Sequence, residues 1–122
     1  MKELFTGKNK NQFEKWYIND FLKVNEDEIN NFLLEEFYAL NLAFQKGVIE
    51  AYYDSLGLYV GTDKFLNHNK FINHTWVLMQ EKENKSIGSK CYYVIGDGYE
   101  ITRNEAYTEA FIKANSLENN KL

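Results

Sequence analysis

Two histidines and one cysteine are the imidazole and thiol groups this chain offers for nucleophile–base pairing or metal ligation. His68 and His74 lie six residues apart across a predicted loop and strand start, and Cys91 is remote from both. Structural and catalytic metal sites need three or four ligands at close spacing, so no metal and no other cofactor is expected. A Cys91–His74 dyad would need an orienting third group and a reactive thiolate. Cys91 instead stands in an apolar run, Cys91-Tyr92-Tyr93-Val94-Ile95, where a thiol packs as a small hydrophobe. The carboxylate pairs Glu26/Glu28 and Glu35/Glu36 fall on a helical pattern without the apolar enclosure that would raise one pKa for acid catalysis. Gly96-Asp97-Gly98 lacks the spacing and the lysine ending of a phosphate loop and reads as a tight turn. The chain is therefore not expected to be an enzyme.

What must position these residues follows from composition and pattern. With 122 residues, 44% of them hydrophobic and 16% aromatic, the chain can build one core without staples. No apolar run approaches the roughly 18–20 residues of a membrane span. Met1 to Lys10 lacks the apolar stretch of a signal peptide and reads as a loose segment. A single cysteine gives no disulfide framework, so a cytoplasmic location is expected. The net charge of −4 argues against direct nucleic-acid binding. The charge is uneven: residues 20–50 carry seven acids against two lysines.

Residues 12–23 read as a helix whose aromatic stripe is Phe13, Trp16, Tyr17 and Phe21. Asn25 looks like an N-cap, with Glu26, Asp27 and Glu28 in the first turn of a second helix. That helix carries Ile29, Phe32, Phe37, Leu40 and Phe44 to a C-cap glycine, Gly47. Val48 to Asp54 is strand-like, as are 58–60, 75–80 and 91–95, with a loop over 61–73 and a charged turn over 81–89. The last helix has a capping box, Thr102 with Glu105, and an alanine strip, Ala106, Ala110 and Ala114, fit to lie close on a sheet.

The prediction is a single α+β domain of order α-α-β-β-β-β-α, an antiparallel sheet with helices mainly on one face. Alternation leaves tyrosines beside acids on the open face: Tyr52 with Glu50 and Asp54 on the first strand, Tyr92 with Val94 on the last. The α-β-β-β-α tail invites comparison with double-stranded RNA-binding domains. Those need a basic cluster where this chain has Arg103 followed by Glu105 and Glu109, so the electrostatics oppose that role.

Three segments carry a resemblance. Phe13-x-x-Trp16-Tyr17, then Gly47-Val48 with Tyr52-Tyr53-Asp54-Ser55-Leu56-Gly57, then Arg103-x-Glu105-Ala106 with Ala110 and Lys113-Ala114-Asn115, together resemble a family of small, uncharacterised phage and prophage proteins of anaerobic, often gut, bacteria. Lys46 stands where that family often has tryptophan. No catalytic residue comes with the resemblance. It implies a phage-encoded, non-enzymatic inhibitor of a bacterial defence system, such as CRISPR–Cas, acting by protein–protein contact in the host cytoplasm.

The expected partner is a host or defence protein, for instance a nuclease with a basic groove. The expected contact residues are Glu26, Glu28, Glu35 and Glu36, with Tyr52 and Asp54 as a second surface. The alternative is a small-molecule binder that sequesters a nucleotide immune signal through Arg103 and Tyr92, with a pocket at a homodimer interface. A nucleic-acid-associated domain is the remaining alternative.

Overall fold

The aromatic stripe of the first helix begins earlier than its spacing predicts. In the computed structural model, which describes residues 3–24, 27–66, 72–84 and 88–122, α1 spans Gly7–Trp16 and runs on into one π-helical turn, Tyr17–Phe21. Phe5, Asn9, Phe13 and Ile18 are all buried. Within the segment expected to be loose, Phe5 and Asn9 are thus packed into the core. Phe13 stacks on Phe5 with ring centroids 4.0 Å apart and lies against Phe37 and Tyr52.

The second helix, α2, covers Asp27–Ala39 and stops well short of Gly47. The expected cap Asn25, and Glu26, lie outside the described residues. Asn41 divides the long predicted helix. Its backbone is extended (φ −76°, ψ 166°) and its side chain accepts a hydrogen bond from the Phe44 N–H at 3.3 Å, so a new helix, α3, starts there and spans Leu42–Ser55. The expected strand at 48–54 is therefore helical. Its Val, Ile and Tyr content is strand-like, but Gln45, Ile49, Tyr52 and Tyr53 share one buried face at helical spacing, and tertiary burial overrides intrinsic propensity.

Gly47 is accordingly mid-helix, exposed, with nothing within 4 Å of where a Cβ would sit. Gly47→Ala is expected to stabilise the fold by about 0.5–1 kcal/mol, because glycine is entropically costly inside a helix. Urea denaturation checks this; a strand at this position would give no such gain. The helix stop belongs to Gly57 instead. With φ at 74° it takes the left-handed conformation, and its N–H donates to the Asp54 carbonyl at 3.0 Å.

Among the described residues three strands follow, not four. They are β1 (Leu58–Leu66), β2 (Ile72–Asn84) and β3 (Ser89–Glu100), antiparallel in the order β1-β2-β3. Each is longer than its apolar core. Residues 61–66, expected as loop, extend β1, and 81–84 extend β2. Gly96-Asp97-Gly98 is strand rather than turn, with Gly96 opposite Leu78 and Gly98 opposite Trp76.

One face of the sheet is closed by α4, Arg103–Lys121. The Thr102 hydroxyl caps the helix as expected, accepting from the Glu105 N–H at 3.1 Å, while the Glu105 carboxylate reaches back to accept from that hydroxyl, also at 3.1 Å. Ala106, Ala110 and Ala114 are fully buried with Phe111 over Leu58, Val60, Trp76 and Leu78. Small side chains let the helix axis come close to the sheet. α3 packs beside α4 and against β1. The result is an α+β fold with an antiparallel sheet, its element order corrected to α-α-α-β-β-β-α.

Candidate functional site

Strand pairing decides what the uncovered face of the sheet presents. Met79 stands opposite Tyr59 and Val94, Glu81 opposite Tyr92, and Thr75 opposite Asp63 and Tyr99. These residues point away from α4, because cross-strand partners share a face. Four large side chains there are open to solvent: Tyr59 (45% exposed), Tyr92 (55%), Val94 (60%) and Tyr99 (72%). The Tyr59 and Tyr92 rings meet edge to face at 6.2 Å. Val77 and Met79 are half-buried between them, and Asp63, Glu81 and Asp97 intersperse carboxylates.

A bulge sets this composition. Pairing shifts between Leu78 and Met79, so that Leu78 faces Gly96 while Met79 faces Val94, leaving Ile95 as the extra residue. Residues before and after Ile95 therefore follow opposite parities. Tyr92 and Val94 point outward as even positions, and Tyr99 joins them as an odd one. Simple alternation finds Tyr92 but turns Tyr99 inward. The signal that was legible for Tyr59 is its place between Leu58 and Val60, both buried.

The second polar cluster is buried and holds the helices together. The Tyr52 hydroxyl donates to Asn9 Oδ1 at 2.5 Å, and Asn9 Nδ2 donates to Tyr53 Oη at 3.2 Å and to Asn115 Oδ1 at 2.8 Å. Gln12 Nε2 donates to the Tyr52 hydroxyl at 3.1 Å. Asn9 thus links α1 to Tyr52 and Tyr53 of α3 and to Asn115 of α4. Burial pushes the Tyr52 hydroxyl up to about 12, aided by the Glu118 carboxylate and opposed by the hydrogen bond from Gln12. Burial pushes Tyr53 well above the ordinary tyrosine range, with the Asn9 hydrogen bond opposing. Both phenols stay neutral and serve as hydrogen-bonding groups.

This fixes an alkaline limit. Tyrosines of the unfolded chain ionise near 10. Above that pH the unfolded state has released protons that the native state retains, so stability falls as pH rises from about 10 towards about 12. Tyr53 alone should contribute about 1.4 kcal/mol of loss per pH unit. Urea titrations across this range check it: Tyr53→Phe should reduce the slope by one proton, and an unchanged slope refutes the assignment.

The expected contact residues scatter. Glu35 and Glu36 are exposed on α2, beside Phe32, which is 61% exposed. Glu26 lies outside the described residues, and of the Glu28 side chain nothing is described. Tyr52 is only 1% exposed, because it sits on a helix facing α1, so it is no part of an outer surface. Asp54 is exposed, but near the end of α3 and not on a strand. Arg103 opens α4 on the covered side of the sheet, whereas Tyr92 faces outward near the start of β3, so the two do not form one pocket. His74 pairs with Glu100 and Cys91 with Lys82, at opposite ends of β2, and make no dyad; His68 lies outside the described residues.

Glu50, half-buried on α3, has its carboxyl raised by desolvation, with the Tyr107 hydroxyl and Lys46 opposing. Among the described residues no group of three His, Cys, Asp or Glu side chains is placed to hold a metal ion, and no helix is long and apolar enough to cross a membrane. Comparison with family models, with curated proteins and with solved structures finds no match to this chain.

Proposed function

We propose that this chain is a non-enzymatic binding protein that recognises a basic protein surface through the uncovered face of its sheet. The observation that carries the reading is the clustering of Tyr59, Tyr92, Val94 and Tyr99, all exposed, on that one face. Tyrosine supplies large contact area at low entropic cost and keeps a polar handle. The interspersed Asp63, Glu81 and Asp97 favour a cationic partner and speed its encounter. The resemblance to phage and prophage proteins supports a bacterial defence protein as that partner, such as a CRISPR-associated nuclease. Occupying its basic groove would compete with nucleic acid. The exposed Glu35 and Glu36 on α2 add to the acidic character at a separate place.

The test uses purified defence nucleases and follows cleavage with and without this protein. Inhibition is expected to weaken at least a hundredfold in the Tyr92→Ser/Tyr99→Ser variant, since central aromatic anchors each carry about 2 kcal/mol or more. It should also weaken with added salt. An inhibited nuclease that is indifferent to the double variant but released by Glu35→Lys/Glu36→Lys would move the working surface to α2. Nucleases that are all left fully active would sink the defence-inhibitor reading.

A further inference from the structure

β3 ends the sheet: β2 lies on one side of it, and no described strand lies on the other. An edge strand displays backbone N–H and C=O groups that can take on another strand. Natural edges are commonly blunted by proline or by charges spread along the strand. β3 runs for 12 residues, Ser89–Glu100, without proline, and its charges are confined to Lys90, Asp97 and Glu100. The bulge at Ile95 decides which strand can fit. Ile95 packs against the core and Gly96 faces Leu78, so both lie on the side covered by α4. Tyr92 and Val94 lie on the uncovered side before this point, and Asp97 and Tyr99 lie there after it. A regular strand alternates strictly. Laid along β3, it would match the faces of one half and be out of face with the other.

We propose that β3 pairs antiparallel with β3 of a second copy of this chain, across a two-fold axis between Ile95 and Gly96, joining two three-stranded sheets into one of six. The second copy brings its own bulge to the same point, so neither strand has a residue left over. Ile95 then stands opposite Gly96 of the second copy, Val94 opposite Asp97, Tyr92 opposite Tyr99 and Cys91 opposite Glu100. Each of these pairs shares a face of the sheet, and the symmetry repeats each pair. On the uncovered face this makes two cross-strand tyrosine pairs, a combination that stabilises sheets. No like charges meet across the seam, because Asp97 faces valine and Glu100 faces cysteine. The pairing uses the edge of the strand, so the two uncovered faces merge into one surface that still faces solvent.

Sedimentation equilibrium of the full chain is expected to give a dimer whose fraction rises with concentration. Val94→Asp sets a new carboxylate against Asp97 of the other copy, twice by symmetry, and should weaken the dimer about tenfold. Val94→Asp/Asp97→Lys makes the same two contacts attractive and should restore it. Both side chains are exposed in the single chain, so these variants keep the fold, which circular dichroism checks. Crosslinking reads the register. Opposed residues of an antiparallel pair have Cα atoms about 4.5–5.5 Å apart, within disulfide reach. With copper phenanthroline as oxidant, Glu100→Cys should link to the native Cys91 of the other copy and give a covalent dimer on a non-reducing gel. Within one chain these positions stand near opposite ends of β3, too far apart to link. Asp97→Cys, whose position faces Val94, should link far more slowly. A chain that stays monomeric at every concentration, Val94→Asp associating as tightly as the wild type, or Glu100→Cys linking no faster than Asp97→Cys overturns the pairing. A monomer that still inhibits a nuclease overturns this pairing alone and leaves the proposed function standing.

Discussion

Asn9→Leu is expected to destabilise the protein by about 3–5 kcal/mol, among the largest effects of any single change outside the aromatic core. The side chain is fully buried and makes three hydrogen bonds at once, accepting from Tyr52 and donating to Tyr53 and Asn115. Leucine removes all three and leaves the Tyr52 hydroxyl proton and the Tyr53 oxygen shielded without that partner. Each such orphan costs about 1–3 kcal/mol. Tyr52 keeps the bond from Gln12, and Asn115 Oδ1 keeps the Thr6 N–H at 3.1 Å, which limits the loss. The diagnostic is non-additivity. Adding Tyr52→Phe and Tyr53→Phe to Asn9→Leu removes the orphans with their partner, so the triple variant should be more stable than the sum of its parts predicts. Urea denaturation of the single and combined variants measures this; strict additivity would mean that the three groups do not act together.

Gly98→Ala is expected to cost about 2–4 kcal/mol, while Gly96→Ala two residues away should be nearly neutral. A methyl at Gly98 would lie 2.6 Å from Trp76 Nε1 and 2.7 Å from Cε2, closer than real contacts allow. The obstacle is a rigid indole, 9% exposed and wedged beneath α4, so it cannot swing aside as a lysine end could. At Gly96 the nearest atoms, on Lys113 and Trp76, stand at 3.5 Å, which is ordinary contact. Both glycines look alike in the sequence, and only the ring across the strand separates them. Denaturation midpoints and tryptophan emission give the readout: a red shift for Gly98→Ala alone is expected, and equal behaviour of the two variants would contradict the close approach.

The last helix was legible because its instructions are local. Thr102, Glu105 and the alanines at four-residue intervals need no distant partner to be read. The segment 48–54 was not, since its buried stripe includes Gln45, a polar residue that earns its place only by bonding the Phe37 carbonyl. Gly47 then looked like a stop signal. Asn9 shows the same limit more strongly: its partners stand at positions 52, 53 and 115, and nothing near it in the chain announces them. On the sheet face, alternation revealed Tyr92, but the one-residue bulge at Ile95 inverted the pattern and hid Tyr99. Of the acidic residues picked from the charge run, Glu35 and Glu36 are exposed; Tyr52 and Asp54, picked from strand alternation, were misplaced with their supposed strand. A charge run shows where solvent is; it does not show where a partner sits.

The clasp between the first and last helices has a consequence for how the molecule is made. Thr6 and Asn9 are held by Asn115 and Asn119, through the Thr6 N–H to Asn115 Oδ1 at 3.1 Å and the Asn9 N–H to Asn119 Oδ1 at 2.8 Å. These contacts join residues 109 and 110 positions apart, and closing so long a loop is slow compared with forming a local helix. During synthesis α1 emerges well before the α4 residues that lock it. Until α4 leaves the ribosome, the aromatic stripe of α1 has no finished seat, and the nascent chain carries Phe5 and Phe13 as sticky surface in need of shelter.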